Sequence, residues 1–430
     1  MTTERNGSVS AMSRRRRLSI CYAAPGQNLL ATAGPTRNVL SAAEALSQWA
    51  DVTVAFRNIL TPVQTSSYRI IAIEPSPATA VPSHKDDTAT RGFHPLRHLS
   101  YCRRLRLFAR QQAGAFDVVL EKGWRLSGFL SAAFQQAGVP SILIENAVTL
   151  WLEPVHGVPS LARYALHRAA DAVTNSSLRR VPVVIAETDE LKAMLVAHRG
   201  IPPDRIRVVG LGVDHRLFRP ADQQLARESL GIGSNSLVVL YVGGIDEYHD
   251  LEPVIEALGL AGNASMEFHV VGNGEFRPRA EARAEAAGIK YRFHGHVPHE
   301  MVPRHIAAAD LCLAPYRTSA FHGGLVTFAT LKIPEYMACG RPVVSVPSPA
   351  IGRLITDGVN GFMFPNDVAS WLSFLRRAPS REQLARMGCA AAKSVEAIGW
   401  DQTARKYFED CEQLTSVRSR TAGSDGSRRQ

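Results

Sequence analysis

The feature that most constrains this chain is a pattern used twice over: short apolar runs alternate with stretches of helical spacing. In the first half, Leu18 to Ala23, Asp51 to Phe56, Phe116 to Leu120, Ser141 to Ile144, Val181 to Ala186 and Arg205 to Val209 read as strands. Asn38 to Trp49, Leu126 to Ala137 and Asp189 to His198 read as helices between them. Strands joined by helical crossovers pair in parallel, and the helices then cover both faces of the sheet. The second half restarts the pattern at Leu237 to Val242. Further strands follow at Phe268 to Val271, Tyr291 to His294, Leu311 to Ala314 and Pro342 to Val346, with helices near 250–260, 278–287, 301–309 and 332–339. The fold class is α/β, with two Rossmann-like doubly wound domains facing a cleft.

Domain boundaries fall where the pattern breaks. The first domain spans 18–214, and residues 215–235, with Pro220, Gly231 and Gly233, read as a linker. The second domain spans 236–398, and a helix over 399–415 is expected to pack back towards the first. Residues 57–100 scatter Pro, Ser and His and read as a variable insertion.

The net charge is +10, of which residues 1–17 carry +4 and residues 416–430 carry +3. Both ends read as basic, solvated tails. The remaining +3 over the body removes most of the support for a nucleic-acid partner. The Arg14 to Arg17 cluster suits a peripheral contact with anionic membrane, at about 1 kcal/mol per basic residue near such a surface. No run reaches the 18 or so apolar residues that a membrane span needs, and the start lacks a secretory pattern. Six scattered cysteines without a CxxC pair argue against a disulfide framework or zinc ribbon and for a reducing cytoplasm.

Three glycine turns in the second half follow strands: Gly243-Gly244, Gly272-Asn273-Gly274 and Gly295. Each alone can be a tight turn, but together they suit backbone approach to a nucleotide or phosphate at the carboxyl ends of a parallel sheet. The sharpest segment runs from Leu331 to Val344, where a helix starting at Lys332 ends at Gly340 and Pro342 opens a strand. Lys332 and Glu335 then lie one turn apart on one face, an ammonium for an anion and a carboxylate for sugar hydroxyls. His294, His296 and His299 have no metal-ligand spacing, so no metal site is expected, and there is neither a GxSxG elbow nor a Walker loop.

The Leu331 to Val344 segment resembles the signature of family 4 glycosyltransferases, retaining enzymes of the GT-B fold that use nucleotide-sugar donors. The likeness extends over about residues 18–410. It takes in Arg205 to Pro220 with its Gly212-Val213-Asp214, Tyr241-Val242-Gly243, Phe293-His294-Gly295, Ala309-Asp310, Ala314-Pro315 and Asp357 to Phe362. The resemblance implies a donor site on the second domain and an acceptor site on the first. Glu335 would hold the nucleotide ribose, and the His296-Val297 backbone would meet the base. His322, Gly323 and Gly324 would lie near the donor sugar and phosphates. Gly243, Gly244, Gly272, Gly274 and Gly295 would line the nucleotide, while Gly34, Glu145 and Asn146 would face the acceptor. No cofactor or metal is implied.

Two departures stand out. The family places a second glutamate eight residues before Glu335, where this chain has Thr327. The Arg and Lys that clamp the diphosphate after the Tyr-Val-Gly strand are replaced by Gly244-Ile245-Asp246-Glu247-Tyr248-His249. Lys332, with Arg317 as the second candidate, is expected to supply the charge. The expected function is transfer of a sugar from a nucleotide-sugar donor to a hydroxyl of a glycan, lipid-linked or small-molecule acceptor, in the cytoplasm. The alternative is a non-catalytic nucleotide- or glycan-binding relative. An NAD-type oxidoreductase is disfavoured, since the Gly272 turn lacks a third glycine and a following acidic strand end.

Overall fold

The computed structural model describes residues 16–30, 34–74, 95–148 and 161–426. The first sheet has seven parallel strands: β1 (Ser19–Ala24), β2 (Asp51–Phe56), β3 (Arg69–Ala72), β4 (Val118–Lys122), β5 (Ser141–Glu145), β6 (Val183–Ala186) and β7 (Ile206–Val208). Their order is β3-β2-β1-β4-β5-β6-β7. Alternation along each strand assigns its two faces. Ile20, Tyr22, Ile142 and Ile144 pack on one side with α1 (Gly34–Leu46). Cys21, Ala23 and Val119 face the other side, under α2 (Pro95–Gln112), α3 (Phe129–Gln136) and α4 (Leu161–Arg180). The remaining crossover, α5 (Asp189–Arg199), is capped by Thr188, whose hydroxyl accepts from Leu191 N at 3.0 Å.

After α6 (Gln223–Leu230) the second sheet has six parallel strands in the order β10-β9-β8-β11-β12-β13. These are β8 (Leu237–Val242), β9 (Met266–Val271), β10 (Lys290–Gly295), β11 (Leu311–Ala314), β12 (Val343–Ser345) and β13 (Gly361–Met363). Its helices are α7 (Glu252–Ala261), α8 (Arg277–Ala286), α9 (Val302–Ala308), α10 (Lys332–Ala338), α11 (Pro349–Gly352), α12 (Val368–Arg376) and α13 (Arg381–Val395). The last helix, α14 (Trp400–Gly426), returns to the first domain, where Trp400, Ala404, Tyr407 and Cys411 join the core beneath α1. Among the described residues no helix is long and apolar enough to cross a membrane.

The chain crosses between domains twice, and the two crossings are tied together. Val213 N donates to Ile398 O at 3.1 Å, and Trp400 N donates to Val213 O at 3.3 Å. A side chain on Gly212 would overlap the Trp400 backbone, so the glycine is required by that close approach.

Several sequence expectations need correction. Residues 215–235 are not a free linker: α6 lies within them, with Phe218, Ala226 and Ile232 in the second domain's core and Arg227 paired with Asp310 at 2.6 Å. The segment 57–100 contains β3, and α2 begins in it; residues 75–94 lie outside the described part. Residues 1–17 are not tail throughout. Arg16 bonds both Asp117 oxygens at 3.2 and 3.3 Å, and Arg17 donates to Ala50 O at 3.1 Å. Residues 1–15, with Arg14, lie outside the described part. At the other end, α14 continues through residues 416–426, and 427–430 lie outside the description.

Candidate active site in the cleft

The carboxyl ends of both sheets face each other. Thr188, just past β6, donates its hydroxyl hydrogen to Thr327 O at 2.5 Å across the cleft. Arg353 binds Glu190, and Arg37 lies 3.6 Å from Glu300. This is where a doubly wound sheet leaves its loops and strand-end carbonyls for a ligand.

On the second domain the three glycine turns form one packed ladder. Gly243 N donates to Val271 O at 2.9 Å, Gly272 N to Gly295 O at 2.7 Å, and Ile245 N to Asn273 O at 3.1 Å. A Cβ on Gly272 would overlap the Gly243 carbonyl, and one on Gly274 would overlap that of Ile245. These two glycines therefore serve the contact between turns, whatever else the ladder meets. Gly243 differs: with φ at +147°, its missing Cβ would stand 2.9 Å from Lys332 Nζ.

Lys332 is the centre of the site. Its Nζ donates to Tyr241 Oη at 3.2 Å and sits 4.6 Å above the Tyr241 ring and 5.5 Å from that of Tyr316. Tyr336 latches α10 to the end of β8, accepting from Val242 N at 2.7 Å and donating to Val242 O at 3.1 Å. That latch fixes where the lysine emerges. Asp246 Oδ1 accepts from Tyr248 N at 2.9 Å and pairs with His249 Nδ1 at 2.8 Å, and the His249 ring packs on Tyr241 and Tyr316.

Desolvation dominates the electrostatics. It pushes the Lys332 ammonium down to about 7, against the pull of Asp246 and Glu335. It pushes the Glu335 carboxyl up to about 8, opposed by Lys332. Burial would raise Asp246 as well, but the bond from His249 and the nearby lysine hold it below its ordinary value. His249 is lowered, first by burial and then by Lys332. The cation is thus undercompensated in the free protein, and an incoming anion would restore its charge.

The other expected donor-side residues are placed as follows. Arg317 is already engaged, its guanidinium 3.0 Å from Asp250 and its N–H bonded to Tyr248 O at 3.0 Å. His296 is exposed and Val297 half-buried beyond β10. His322, Gly323 and Gly324 form a short turn in which Gly323 and Gly324 take φ of +65° and +70°. Gly244 lies in the loop beside Asp246, and Thr327 contributes its carbonyl to the interdomain contact.

Across the cleft, Gly34 opens α1 in free space, Asn146 is half-buried and Glu145 is buried at the end of β5. Burial pushes the Glu145 carboxyl up to about 8, against a bond from the Ser127 hydroxyl. A Cβ at Gly123 would strike Glu145 Oε2, so any side chain there would have to displace that carboxyl. Glu121 is buried beside it, accepting from Trp124 Nε1 at 2.9 Å and Ser131 N at 2.6 Å. Lys122 and Glu187 form a buried pair at 2.5 Å, a feature the sequence reading missed. Tyr241, Tyr316, Asp246 and His249 were also missed as companions of Lys332. The signal available was an unusual Asp-x-x-His where basic residues were expected. Among the described residues no group of His, Cys, Asp and Glu is arranged to hold a metal ion.

With this geometry in hand, comparisons with known proteins agree on one family. The profile described as Glycosyltransferase Family 4 matches residues 34–217, and that described as Glycosyl transferases group 1 matches residues 236–378. The D-inositol 3-phosphate glycosyltransferase of Geodermatophilus obscurus is 32% identical over 326 residues, covering 70% of this chain and 67% of that one. Sucrose-phosphate synthase from Thermosynechococcus elongatus shares the fold at a TM-score of 0.72 and 17% identity, over 93% of this chain and 100% of that one. Anabaena HepE, solved with UDP-glucose, does so at 0.66 and 17%, over 92% and 100%. Two parallel α/β domains across a cleft, each matched by its own glycosyltransferase model, together with a glycosyltransferase relative 32% identical over 70% of the chain, make this chain a member of the group 1, family 4 glycosyltransferases, with the GT-B fold.

Proposed function

We propose that the protein moves a glycosyl group from a nucleoside-diphosphate sugar, held by the second domain, to an acceptor hydroxyl presented over the first, with retention of anomeric configuration. The observation that carries this reading is the Lys332–Glu335 pair: a partly desolvated cation beside a carboxyl, on the cleft side of the second sheet. Lys332 meets the diphosphate and Glu335 the ribose hydroxyls. As the bond from the anomeric carbon to the phosphate oxygen breaks, negative charge grows on that oxygen, where the ammonium is already placed. The acceptor oxygen bonds to the same face of the anomeric carbon and passes its proton to the departing phosphate. Lys332 takes the cation's part, so neither a metal nor another cofactor enters the reading.

On the acceptor side, the Lys122 charge is spent on Glu187, and Glu145 and Glu121 are buried carboxyls pushed above their ordinary range. Such a floor offers carboxyl groups to acceptor hydroxyls. UDP-glucose, bound by HepE, and inositol 3-phosphate, named for the curated relatives, are the first donor and acceptor to assay. The six cysteines are free thiols, which fits the proposed cytoplasmic site, with a peripheral contact to anionic membrane.

Thermal stabilisation by UDP-, GDP- and dTDP-sugars identifies the base. Glu335→Ala is then expected to weaken the chosen nucleoside diphosphate by roughly tenfold or more, the loss of about 1.5 kcal/mol or above in ribose hydrogen bonds. Unchanged affinity in calorimetry would remove Glu335 from the site.

A further inference from the structure

We propose that the Asp246–His249 pair supplies the donor site with its second positive charge: His249 takes up a proton when the nucleotide sugar arrives and hydrogen-bonds the diphosphate beside Lys332. This rests on the donor reading above. It adds a residue that the family likeness does not supply, because the pair sits on the turn where this chain departs from the family's basic clamp.

The diphosphate of a nucleotide sugar, esterified at both ends, carries two negative charges, and Lys332 answers one of them. Arg317 is held by Asp250 at 3.0 Å. A further nitrogen base stands on the turn after β8. There Asp246 Oδ1 accepts from Tyr248 N at 2.9 Å and from His249 N at 3.2 Å, and His249 N also donates to Asp246 O at 3.3 Å. These bonds fix the carboxylate against the imidazole, whose Nδ1 lies 2.8 Å from the same oxygen.

The residues that place the lysine also place the ring. Its centroid is 6.0 Å from that of Tyr241 and 5.3 Å from that of Tyr316, the two rings that flank Lys332 Nζ at 4.6 and 5.5 Å. Tyr241 in turn donates its hydroxyl hydrogen to Gly244 O, tying the turn back to β8. With Asp246 accepting from Nδ1–H, Nε2 is left as the second nitrogen. It has no hydrogen-bond partner among the described residues and is not sealed from solvent, the side chain being 18% exposed. Bonding backbone N–H groups explains the aspartate. It does not explain an imidazole packed on the lysine's two rings with one nitrogen open.

In the free protein burial, and then Lys332, hold His249 below its ordinary value of about 6.5, against the pull of Asp246. The titratable groups around it are Asp246 on its own turn, Tyr241 on β8, Tyr316 after β11 and Lys332 on α10, with Glu335 behind the lysine. Burial raises both tyrosines far above their ordinary range, so they stay neutral. A bound diphosphate cancels the field of Lys332 and adds its own, which raises the proton affinity of the histidine. Donor binding therefore strengthens as pH falls through the histidine's value in the complex, and the gain is complete below its value in the free protein. The proton comes from solvent, stays on Nε2 while charge grows on the departing phosphate, and returns to solvent when the nucleoside diphosphate leaves.

Calorimetry with UDP-, GDP- and dTDP-glucose, whose diphosphates do not titrate in this range, tests the proposal at about pH 6 and pH 8. At the lower pH the wild-type protein is expected to bind its donor severalfold more tightly than His249→Gln does, and to take up a fraction of a proton that the variant does not. At the higher pH the two should bind within about twofold of each other, since the histidine is then neutral. Asp246→Asn keeps an acceptor for Nδ1 but removes the charge, so it should lower the pH at which the gain begins. Lys332→Met should weaken binding at both pH values, which keeps the lysine's share apart from the histidine's. Thermal melts check that the variants fold. The same ratio of affinities between the two pH values in His249→Gln as in the wild type would overturn the proposal and leave a turn-stabilising pair. If Lys332→Met still weakened the donor in that case, the donor reading would stand without it. Failure of all three donors to bind would overturn the donor reading and this inference together.

Discussion

Lys332→Met is expected to lower kcat by about a hundredfold or more, about 2.7 kcal/mol, with a smaller rise in KM. In the proposed mechanism the ammonium meets a diphosphate whose charge grows as the glycosidic bond breaks, so its contribution would be larger in the transition state than in the bound donor. The second candidate cation is already engaged. Arg317 is committed to Asp250, and the loop that elsewhere in the family carries the basic clamp here carries Asp246 and His249. Methionine keeps the length and the contact with the Tyr241 and Tyr316 rings while removing the charge. Steady-state kinetics on the identified donor decides the matter: near-normal kcat in this variant would sink the assignment.

The largest effect on stability is expected at the pair beneath the first domain's cleft wall. Lys122 ends β4 and Glu187 directly follows β6, so the pair reaches across the end of β5; both residues are buried, 2.5 Å apart. Removing one partner leaves the other charge buried and unpaired, so Lys122→Met should cost about 3–5 kcal/mol. Replacing both, as Lys122→Met with Glu187→Leu, should recover most of that loss, because two well-packed apolar groups need no compensation. Urea unfolding of the three proteins checks this. A double variant no more stable than the single one would mean that Glu187 bonds to more than Lys122.

The sequence disclosed most of the architecture because buried parallel strands are continuous apolar runs: β2, β8 and β11 were located to the residue. Strand β13 was missed because Gly361–Met363 is too short to show a period, and α4 because its polar residues spread around the helix. The supposed linker misled for a different reason. Gly231 is the left-handed cap of α6, not a flexible joint, and the partner that seats Arg227, Asp310, lies 83 residues away. The one-turn spacing of Lys332 and Glu335 was legible, and α10 keeps it. The tyrosine that cradles the lysine is 91 positions distant and read only as strand, so nothing local could announce it.

The central claim is that a nucleoside diphosphate binds against Lys332 and Glu335. Calorimetry of UDP binding at pH 9, repeated in buffers of different ionisation enthalpy, tests it directly. With Lys332 near 7 and Glu335 near 8, the free pair holds few protons at that pH. A diphosphate raises the lysine's affinity for a proton, so binding should take up close to one proton. It should also weaken as pH rises above about 7, and Lys332→Met should abolish the uptake. Binding of UDP with no proton uptake, or with the same uptake in Lys332→Met, would contradict the account.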